Sequence, residues 1–154
     1  MASIEERMKV LEDKRAILRT LHDYGHTLDY GDEAGFMDCW TEDAFLGWSI
    51  IPNGLKGHAR IREGFHVHTH APEAWHKHML AEPRITLSGD TASAHSYFWR
   101  LDPYKSAGGA PEIYAFGRYI DKFMRCKDGR WRFSERLVEK EAAREEKPIG
   151  AKGA

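Results

Sequence analysis

The apolar residues of the chain change from helical to strand-like spacing after Pro72, and this change constrains the fold more than any other feature. Ser3 and Glu6 have the pattern of a capping box, which satisfies free backbone N–H groups at a helix start. The apolar residues that follow recur at helical spacing. A long first helix is therefore predicted to run to about Leu28, and Gly31 breaks it.

Two shorter helices and one strand are predicted before the change. Residues 32–39 read as a short second helix, and the aromatic segment 45–50 reads as a strand. Residues 52–54, with the sequence Pro-Asn-Gly, form the turn that ends this strand. Residues 58–68 carry apolar side chains on one face and predict a third helix.

Four strand-like runs follow, over residues 75–87, 91–101, 113–124 and 130–138, and turn residues separate them. Helices followed by an antiparallel meander predict an α+β fold, with the N-terminal helices packed on a curved, mostly antiparallel sheet. The length of 154 residues suits one domain with a core and is short for two. We predict a single domain over residues 1–140 and a mobile C-terminal tail over 141–154.

The composition argues against several kinds of partner. The chain has 23 Lys and Arg against 24 Asp and Glu, with no one-sided block that would attract nucleic acid or a membrane surface. It has no apolar run of roughly 18 residues that could span a bilayer, and its first ten residues lack the apolar core of a secretory signal. Cys39 and Cys126 lie far apart without metal-ligand spacing, which favours a reducing compartment. A cytoplasmic location is expected.

The second of the four strand-like runs, residues 91–101, has bulky residues on a face that helices would not cover. Alternation puts Ala92, Ala94, Ser96, Phe98 and Arg100 on one face and His95, Tyr97, Trp99 and Leu101 on the other. A sheet with helices on one side normally turns polar residues to water on the other side. The bulky second row therefore predicts that this face packs against another copy of the chain, as a homo-oligomer.

Several segments together carry a family resemblance. They are the segment from Ala16 to Asp29, the run GDE with WTEDA at residues 31–44, the string HMLAEPRI at 78–85, and GRY before DGRW at 117–131. From about residue 12 to 140 the chain resembles the SnoaL-like branch of the nuclear transport factor 2 superfamily. The resemblance implies a cone-shaped α+β barrel, commonly trimeric, so a trimer is favoured over a dimer. It also implies a lyase without a cofactor, with an Asp and a His inside the cone.

The resemblance places the family's catalytic residues on particular positions of this chain. The Asp at the end of the first helix falls on Asp29, and the His falls on His78. A carboxylate that accepts a hydrogen bond from one imidazole nitrogen leaves the other nitrogen able to take a proton near neutral pH. Tyr24 matches a pocket tyrosine that could donate to a leaving group, and Arg136 matches an arginine near the leaving group.

The remaining predicted site residues are substrate contacts. Trp48 stands where a dehydratase of this family has a tyrosine. The expected wall of the substrate pocket consists of Trp48, Phe98, Arg100 and Tyr119. The leading hypothesis is a lyase that removes a proton and a leaving group from neighbouring carbons of a small apolar molecule, aromatic or polycyclic.

Two alternatives stay open. A ketosteroid-type isomerase would need a strand carboxylate as its base, and Asp102 and Asp121 are the available ones. A non-catalytic binding protein, or the small subunit of a ring-hydroxylating dioxygenase, would have the same fold as the lyase. Product mass distinguishes isomerase from lyase, because isomerisation conserves it.

The histidines also raise the question of a metal. His66, His68, His70, His76 and His78 are concentrated in one stretch, and alternating histidines on a strand can bind zinc. No spacing such as H-E-x-x-H supports a metal site, and the resemblance implies lyases that need none. We therefore predict no metal and no cofactor, with a small molecule as the substrate.

Overall fold

The computed structural model describes residues 2–48 and 51–151. Within these residues the chain forms three helices and six strands. In chain order they are α1 (Ile4–Tyr30), α2 (Glu33–Asp38), β1 (Trp40–Trp48), β2 (Leu55–Lys56), α3 (Gly57–Val67), β3 (Lys77–Ser88), β4 (Thr91–Pro103), β5 (Pro111–Arg125) and β6 (Trp131–Ala143).

Helix α1 begins and ends as its sequence predicts. The Ser3 hydroxyl accepts from the backbone N–H of Glu6 at 3.1 Å, and the Glu6 carboxylate accepts from the backbone N–H of Ser3 at 2.7 Å. At the other end Gly31 adopts a left-handed conformation with φ of 72°, which a residue without Cβ tolerates best. No helix in the described part of the chain has the length and apolar character needed to cross a bilayer.

All six strands belong to one sheet in the order β2-β1-β6-β5-β4-β3. Neighbouring strands are antiparallel except for β1 and β6, which are parallel. The core lies between the helices and the inner face of this sheet, and Ile17, Phe36, Ile61, Phe98 and Phe133 all belong to it. The predicted α+β architecture is confirmed.

Three elements differ from the predicted ones. Strand β1 begins at Trp40, earlier than the predicted residue 45, and the predicted strand end at Ile50 lies outside the described residues. Strand β2 was not predicted, since it is a two-residue pairing with β1 and has no periodicity of its own. The predicted domain boundary at residue 140 falls within β6, because that strand pairs with β5 as far as Ala143.

The residues after β6 contact the long loop between β4 and β5. The backbone N–H of Ile149 donates to the Pro103 carbonyl at 2.9 Å. The Arg144 guanidinium lies over the Tyr104 ring, 4.2 Å from its centroid. Residues 152–154 of the predicted tail lie outside the described part, and the mobility of the tail stays a prediction.

Strand β4 shows the predicted alternation. Ala92, Ala94, Ser96 and Phe98 are buried on the inner face, whereas Tyr97 is 59% exposed on the outer face. The outer face also exposes Met79 and Phe116 on the neighbouring strands. Packing of this face against another copy of the chain stays a prediction.

Candidate functional site

Asp29 and His78 meet where the end of α1 approaches the start of β3. The Nδ1 atom of His78 lies 2.5 Å from Oδ1 of Asp29, and the backbone N–H of His78 donates to Oδ2 at 2.9 Å. Gly25, one turn before Asp29, permits this approach: a Cβ there would lie 3.2 Å from the His78 carbonyl oxygen. The two side chains, 49 positions apart, are therefore held by both a side-chain and a backbone contact.

This contact fixes the proton positions of the pair. An ionised carboxylate only accepts, so Nδ1 of His78 carries the proton and donates it to Asp29. The neutral ring then has its lone pair on Nε2, the atom able to act as a base. Burial raises the pKa of Asp29, but the side-chain and backbone hydrogen bonds from His78 outweigh it and leave that pKa below its ordinary value. Asp29 is thus ionised near neutral pH.

Two further histidines surround the pair. His76 is 3% exposed, and its Nε2 lies 3.4 Å from Oδ1 of Asp29. The ring is not oriented for a hydrogen bond, and this nitrogen has no hydrogen-bond partner among the described residues. His68, just after α3, has its ring centroid 4.9 Å from that of His76 and 5.5 Å from that of His78. Three imidazoles therefore gather beside one carboxylate.

Among the described residues, His68, His76 and His78 are also the group that could hold a metal ion, because one ring nitrogen of each lies within 4.8 Å of the others. For comparison with this 4.8 Å limit, the ligand nitrogens of a tetrahedral zinc site lie roughly 3.4 Å apart, given Zn–N bonds of about 2.05 Å. From the sequence pattern, His68 and His76 were considered in one role, as possible metal ligands. It gave no sign of their position beside Asp29, because the loop between α3 and β3 determines that position.

Burial keeps His68 and His76 neutral well into the acidic range. Removal from water, followed by the nearby His78 and His76 charges, lowers the pKa of His68 to about 2. Removal from water, followed by the His78 charge, lowers the pKa of His76 to about 4, although Asp29 opposes this shift. Both rings therefore stay uncharged in the folded protein at pH values where an unfolded chain would protonate them.

We expect these two histidines to make the fold sensitive to acid. Below the unfolded-state pKa of about 6.5 the unfolded chain binds more protons than the folded one. The free energy of unfolding therefore has its full value above that pH and falls as the pH decreases. Between pH 7 and pH 5 each ring is expected to remove about 2 kcal/mol from the free energy of unfolding, at about 1.36 kcal/mol per pH unit below 6.5. Urea unfolding of the wild type and of His68→Gln at both pH values measures this loss.

The His68→Gln variant is expected to lose about 2 kcal/mol less than the wild type over this interval. His66→Asn is the matched control, because His66 is exposed and pairs with Glu33 at the surface. It should follow the wild type. An equal acid loss in His68→Gln and the wild type would show that His68 is not held neutral by the fold.

The cavity that most of the predicted site residues line, here called the main cavity, lies between the sheet and the helices and has a volume of about 100 Å³. Aromatic and aliphatic side chains form most of its wall, with a few polar groups. Its described lining includes Tyr24, Phe36, Trp48, Phe65, His68, His78, Phe98, Arg100, Tyr114, Tyr119 and Lys140. Apolar walls and a few converging polar groups are typical of a small-molecule site.

A second cavity lies between α1 and β3, on the Asp29 side of the pair, with a volume of about 350 Å³. His78, Tyr24 and Tyr119 line both cavities, so these three side chains form the partition between them. Asp29 lines only the second cavity. His78 therefore lies at the boundary between the two cavities, and Asp29 lies on the side of the second one.

The structure brings most of the predicted site residues to the main cavity. Phe98 and Tyr119 stack with ring centroids 4.5 Å apart, and Trp48 lines the same space. Burial raises the pKa of Tyr24, against the opposing charge of Arg136, so its phenol remains protonated. Arg100 also lines the cavity, with its guanidinium bound to Asp102 at 2.7 and 3.1 Å.

Arg136 is the predicted site residue that the structure does not place at a cavity. Its side chain is 0% exposed and pairs with both carboxylate oxygens of Asp121, at 2.7 and 2.8 Å. The guanidinium carbon lies 4.2, 4.0 and 4.2 Å from the ring centroids of Tyr24, Tyr119 and Phe133. The expected direct contact of Arg136 with a substrate is therefore corrected: it lies behind Tyr24, in the core.

The strand carboxylates that an isomerase would need are both engaged. Asp102 holds Arg100, and Asp121 is buried against Arg136. Neither lines the main cavity. Among the described residues, Asp29 is the carboxylate near this cavity that contacts a candidate base, His78.

Comparison with known proteins agrees with this arrangement. Residues 9–137 match the SnoaL-like domain, which is most of the chain. The chain belongs to the SnoaL-like family. The family resemblance expected from the sequence is confirmed. No curated protein matches this chain.

Several solved structures have the same fold as this SnoaL-like chain. An NTF2-like protein with a cystatin-like fold from Novosphingobium aromaticivorans is 25% identical, with a TM-score of 0.77 and 89% of each chain covered. A candidate aromatic ring hydroxylase from the same bacterium is 29% identical, with a TM-score of 0.70 over 92% of this chain and 98% of that one. A candidate scytalone dehydratase from that bacterium is 21% identical, with a TM-score of 0.72 over 94% and 95% of the two chains, and supports the fold alone.

Proposed function

We propose that this protein is a cofactor-independent lyase that removes a proton and a leaving group from neighbouring carbons of a small, mostly apolar aromatic molecule. The observation that carries the proposal is the 2.5 Å contact between Asp29 and His78 at the edge of an aromatic-lined cavity. Membership of the SnoaL-like family supports a dehydratase-like reaction.

The reaction begins at Nε2 of His78. This nitrogen takes the proton from a substrate carbon, and the electron pair of the broken C–H bond forms the new C=C bond. The neighbouring C–X bond breaks, and its electron pair leaves with X. Asp29 stabilises the imidazolium that forms on His78, because its carboxylate already accepts the Nδ1 proton.

The leaving group needs a proton or a hydrogen bond. Tyr24 lines the cavity beside His78, and its phenol, kept protonated by burial, can donate to the departing group. The guanidinium carbon of Arg136 lies 4.2 Å from the centroid of the Tyr24 ring, so Arg136 acts on the leaving group only through Tyr24. When X is hydroxide, transfer of the imidazolium proton to it gives water and restores neutral His78, so the protons balance.

A second candidate function is a subunit of an aromatic ring-hydroxylating system. The observation that favours it is the 29% identity to a candidate aromatic ring hydroxylase. In that case the contact between Asp29 and His78 would be structural, and the protein would require a larger partner for activity. Turnover by the purified chain alone argues for the lyase and against the subunit.

The test is elimination by the purified protein. We would incubate it with a panel of single-ring β-hydroxy and β-halo ketones and measure products by mass spectrometry, with His78→Ala and His66→Asn in parallel. The lyase predicts a product lighter by H–X that forms with the wild type and His66→Asn but not with His78→Ala. A product of unchanged mass would identify an isomerase, and turnover that persists in His78→Ala would contradict the assigned base.

A further inference from the structure

The permanently charged side chains that line the main cavity are both positive. They are Arg100 on β4 and Lys140 on β6, and no Asp or Glu belongs to the described lining. The elimination described above assigns no role to either cation. Because an apolar wall strengthens the field of the charges set in it, a cavity lined by one sign of charge favours a ligand of the opposite sign.

The register of the sheet places Arg100 beside the proposed base. His78 on β3 and Arg100 on β4 are directly opposed antiparallel partners. The side chains of such partners project from the same face, with Cβ atoms about 5 Å apart. This is the inner face, because Phe98, two residues before Arg100, is buried in the core. Arg100 is therefore separated from His78 by one strand spacing, on the cavity side of the sheet.

Lys140 lies on the same face of the sheet, two strands further on. Alternation along β6 puts Lys140 on the side of Val138, which also lines the cavity. The neighbouring Glu139 lies on the outer face, where its carboxylate pairs with Arg118. Lys140 forms no ion pair among the described residues. Its ammonium group therefore adds a positive charge to the cavity lining that no described carboxylate offsets.

The strand between the two cations leaves room for a ligand. Strand β5 lies between β4 and β6, and its inner-face residues at this level are Ala115, opposite Arg100, and Gly117, opposite Lys140. Two strand spacings separate β4 from β6 by roughly 10 Å. No side chain larger than a methyl group projects from these two β5 positions. The long Arg100 and Lys140 side chains can therefore both reach one group held above β5.

Arg100 is held in place by its neighbours. Its guanidinium donates to both carboxylate oxygens of Asp102, at 2.7 and 3.1 Å, and its central carbon lies 4.2 Å from the centroid of the Tyr114 ring. Asp102 offsets part of the charge of Arg100 but does not line the cavity. A cation fixed in this way loses little conformational entropy when it binds an anion.

We propose that Arg100 and Lys140 form a binding site for a carboxylate group, so that the substrate is an aromatic carboxylic acid. The proposal rests on the proposed function for the role of His78. A carboxylate held above β5 brings the adjoining carbons of the substrate toward His78, because Arg100 is the cross-strand partner of that base. Charge-assisted hydrogen bonds are stronger than neutral ones, so a neutral analogue of the same shape binds less tightly.

Binding of benzoate and benzamide tests the site without turnover. The two probes have nearly the same size, but at pH 7.5 only benzoate carries a charge. Their dissociation constants would be measured by calorimetry or NMR titration for the wild type, Lys140→Met and the double variant Arg100→Gln with Asp102→Asn. The double variant removes one charge of each sign, so it leaves the net charge unchanged and no buried carboxylate unpaired.

The quantity compared is the ratio of the benzamide to the benzoate dissociation constant. Lys140→Met is expected to lower this ratio about fivefold, the effect of one partly exposed ion pair. The double variant should lower it about tenfold. Lys122→Met is the matched control, because Lys122 is exposed and pairs with Glu135 between β5 and β6. It should match the wild type.

The proposal is overturned if the wild type does not prefer benzoate, if the ratio is unchanged in folded Lys140→Met, or if Lys122→Met causes an equal loss. Lys140→Met decides alone if the double variant does not fold. The outcomes also separate this inference from the proposed function. A benzoate preference that depends on the two cations supports the carboxylate site even without elimination. Elimination from neutral ketones, with no preference for benzoate, supports the lyase and overturns the carboxylate site.

Discussion

Replacement of His78 by alanine is expected to lower kcat about 1000-fold on any substrate that the wild type converts, the contribution typical of a positioned general base. Among the described residues, His78 is the only one whose imidazole forms a hydrogen bond with Asp29, and the variant removes it. The backbone N–H of residue 78 can still donate to Asp29, so the fold should be retained. Steady-state kinetics, with circular dichroism to verify folding, measure the effect.

Two companion variants make the result specific. Asp29→Asn removes the negative charge that stabilises the imidazolium and should also lower kcat strongly, with a smaller effect on substrate binding. His66→Asn removes an exposed histidine of α3 and should leave kcat unchanged. A kcat within tenfold of the wild type in folded His78→Ala would eliminate this residue as the base.

Replacement of Arg136 by methionine is expected to lower the free energy of unfolding by about 3–5 kcal/mol, since it leaves the Asp121 carboxylate buried without its partner. The guanidinium contacts with three aromatic faces are lost as well. Urea unfolding at pH 7.5 measures the change.

Arg118→Ala is the matched control, because Arg118 forms an equivalent pair with Glu139 between the same two strands, β5 and β6, at the exposed surface. Its loss should cost less than about 1 kcal/mol. The double variant Arg136→Met with Asp121→Leu should recover much of the stability, because both buried charges are gone. Equal stability losses in Arg136→Met and Arg118→Ala would mean that the buried pair has no special structural role.

The sequence predicted the architecture because the main elements have strong local patterns. The capping box at Ser3 and the left-handed Gly31 locate both ends of α1 to within a few residues. The alternation in β4 identified its inner face correctly. The start of β1 at Trp40 was missed, since its first residue pairs with Phe133 in β6, and a partner far away in the chain leaves no local pattern.

The site was predictable only in part, because contacts between residues far apart in the chain leave no local sequence pattern. The family resemblance supplied Asp29 and His78, which the structure brings together. Strand periodicity could not tell whether Arg136 faces the cavity or the core, because both environments are inside the domain. The position of His68 and His76 depends on the loop between α3 and β3, whose path is determined by contacts such as that between the Ala71 N–H and the Asp29 carbonyl, at 2.9 Å.

The central claim is that Asp29 holds His78 as the tautomer with its proton on Nδ1 and its lone pair on Nε2. The most direct test is ¹⁵N NMR of histidine-labelled protein at pH 7.5, with His78→Gln to assign the signals and Asp29→Asn as the comparison. We predict a protonated Nδ1 and an unprotonated Nε2 for His78 in the wild type, and loss of this preference in Asp29→Asn. A wild-type His78 with its proton on Nε2 would contradict the account.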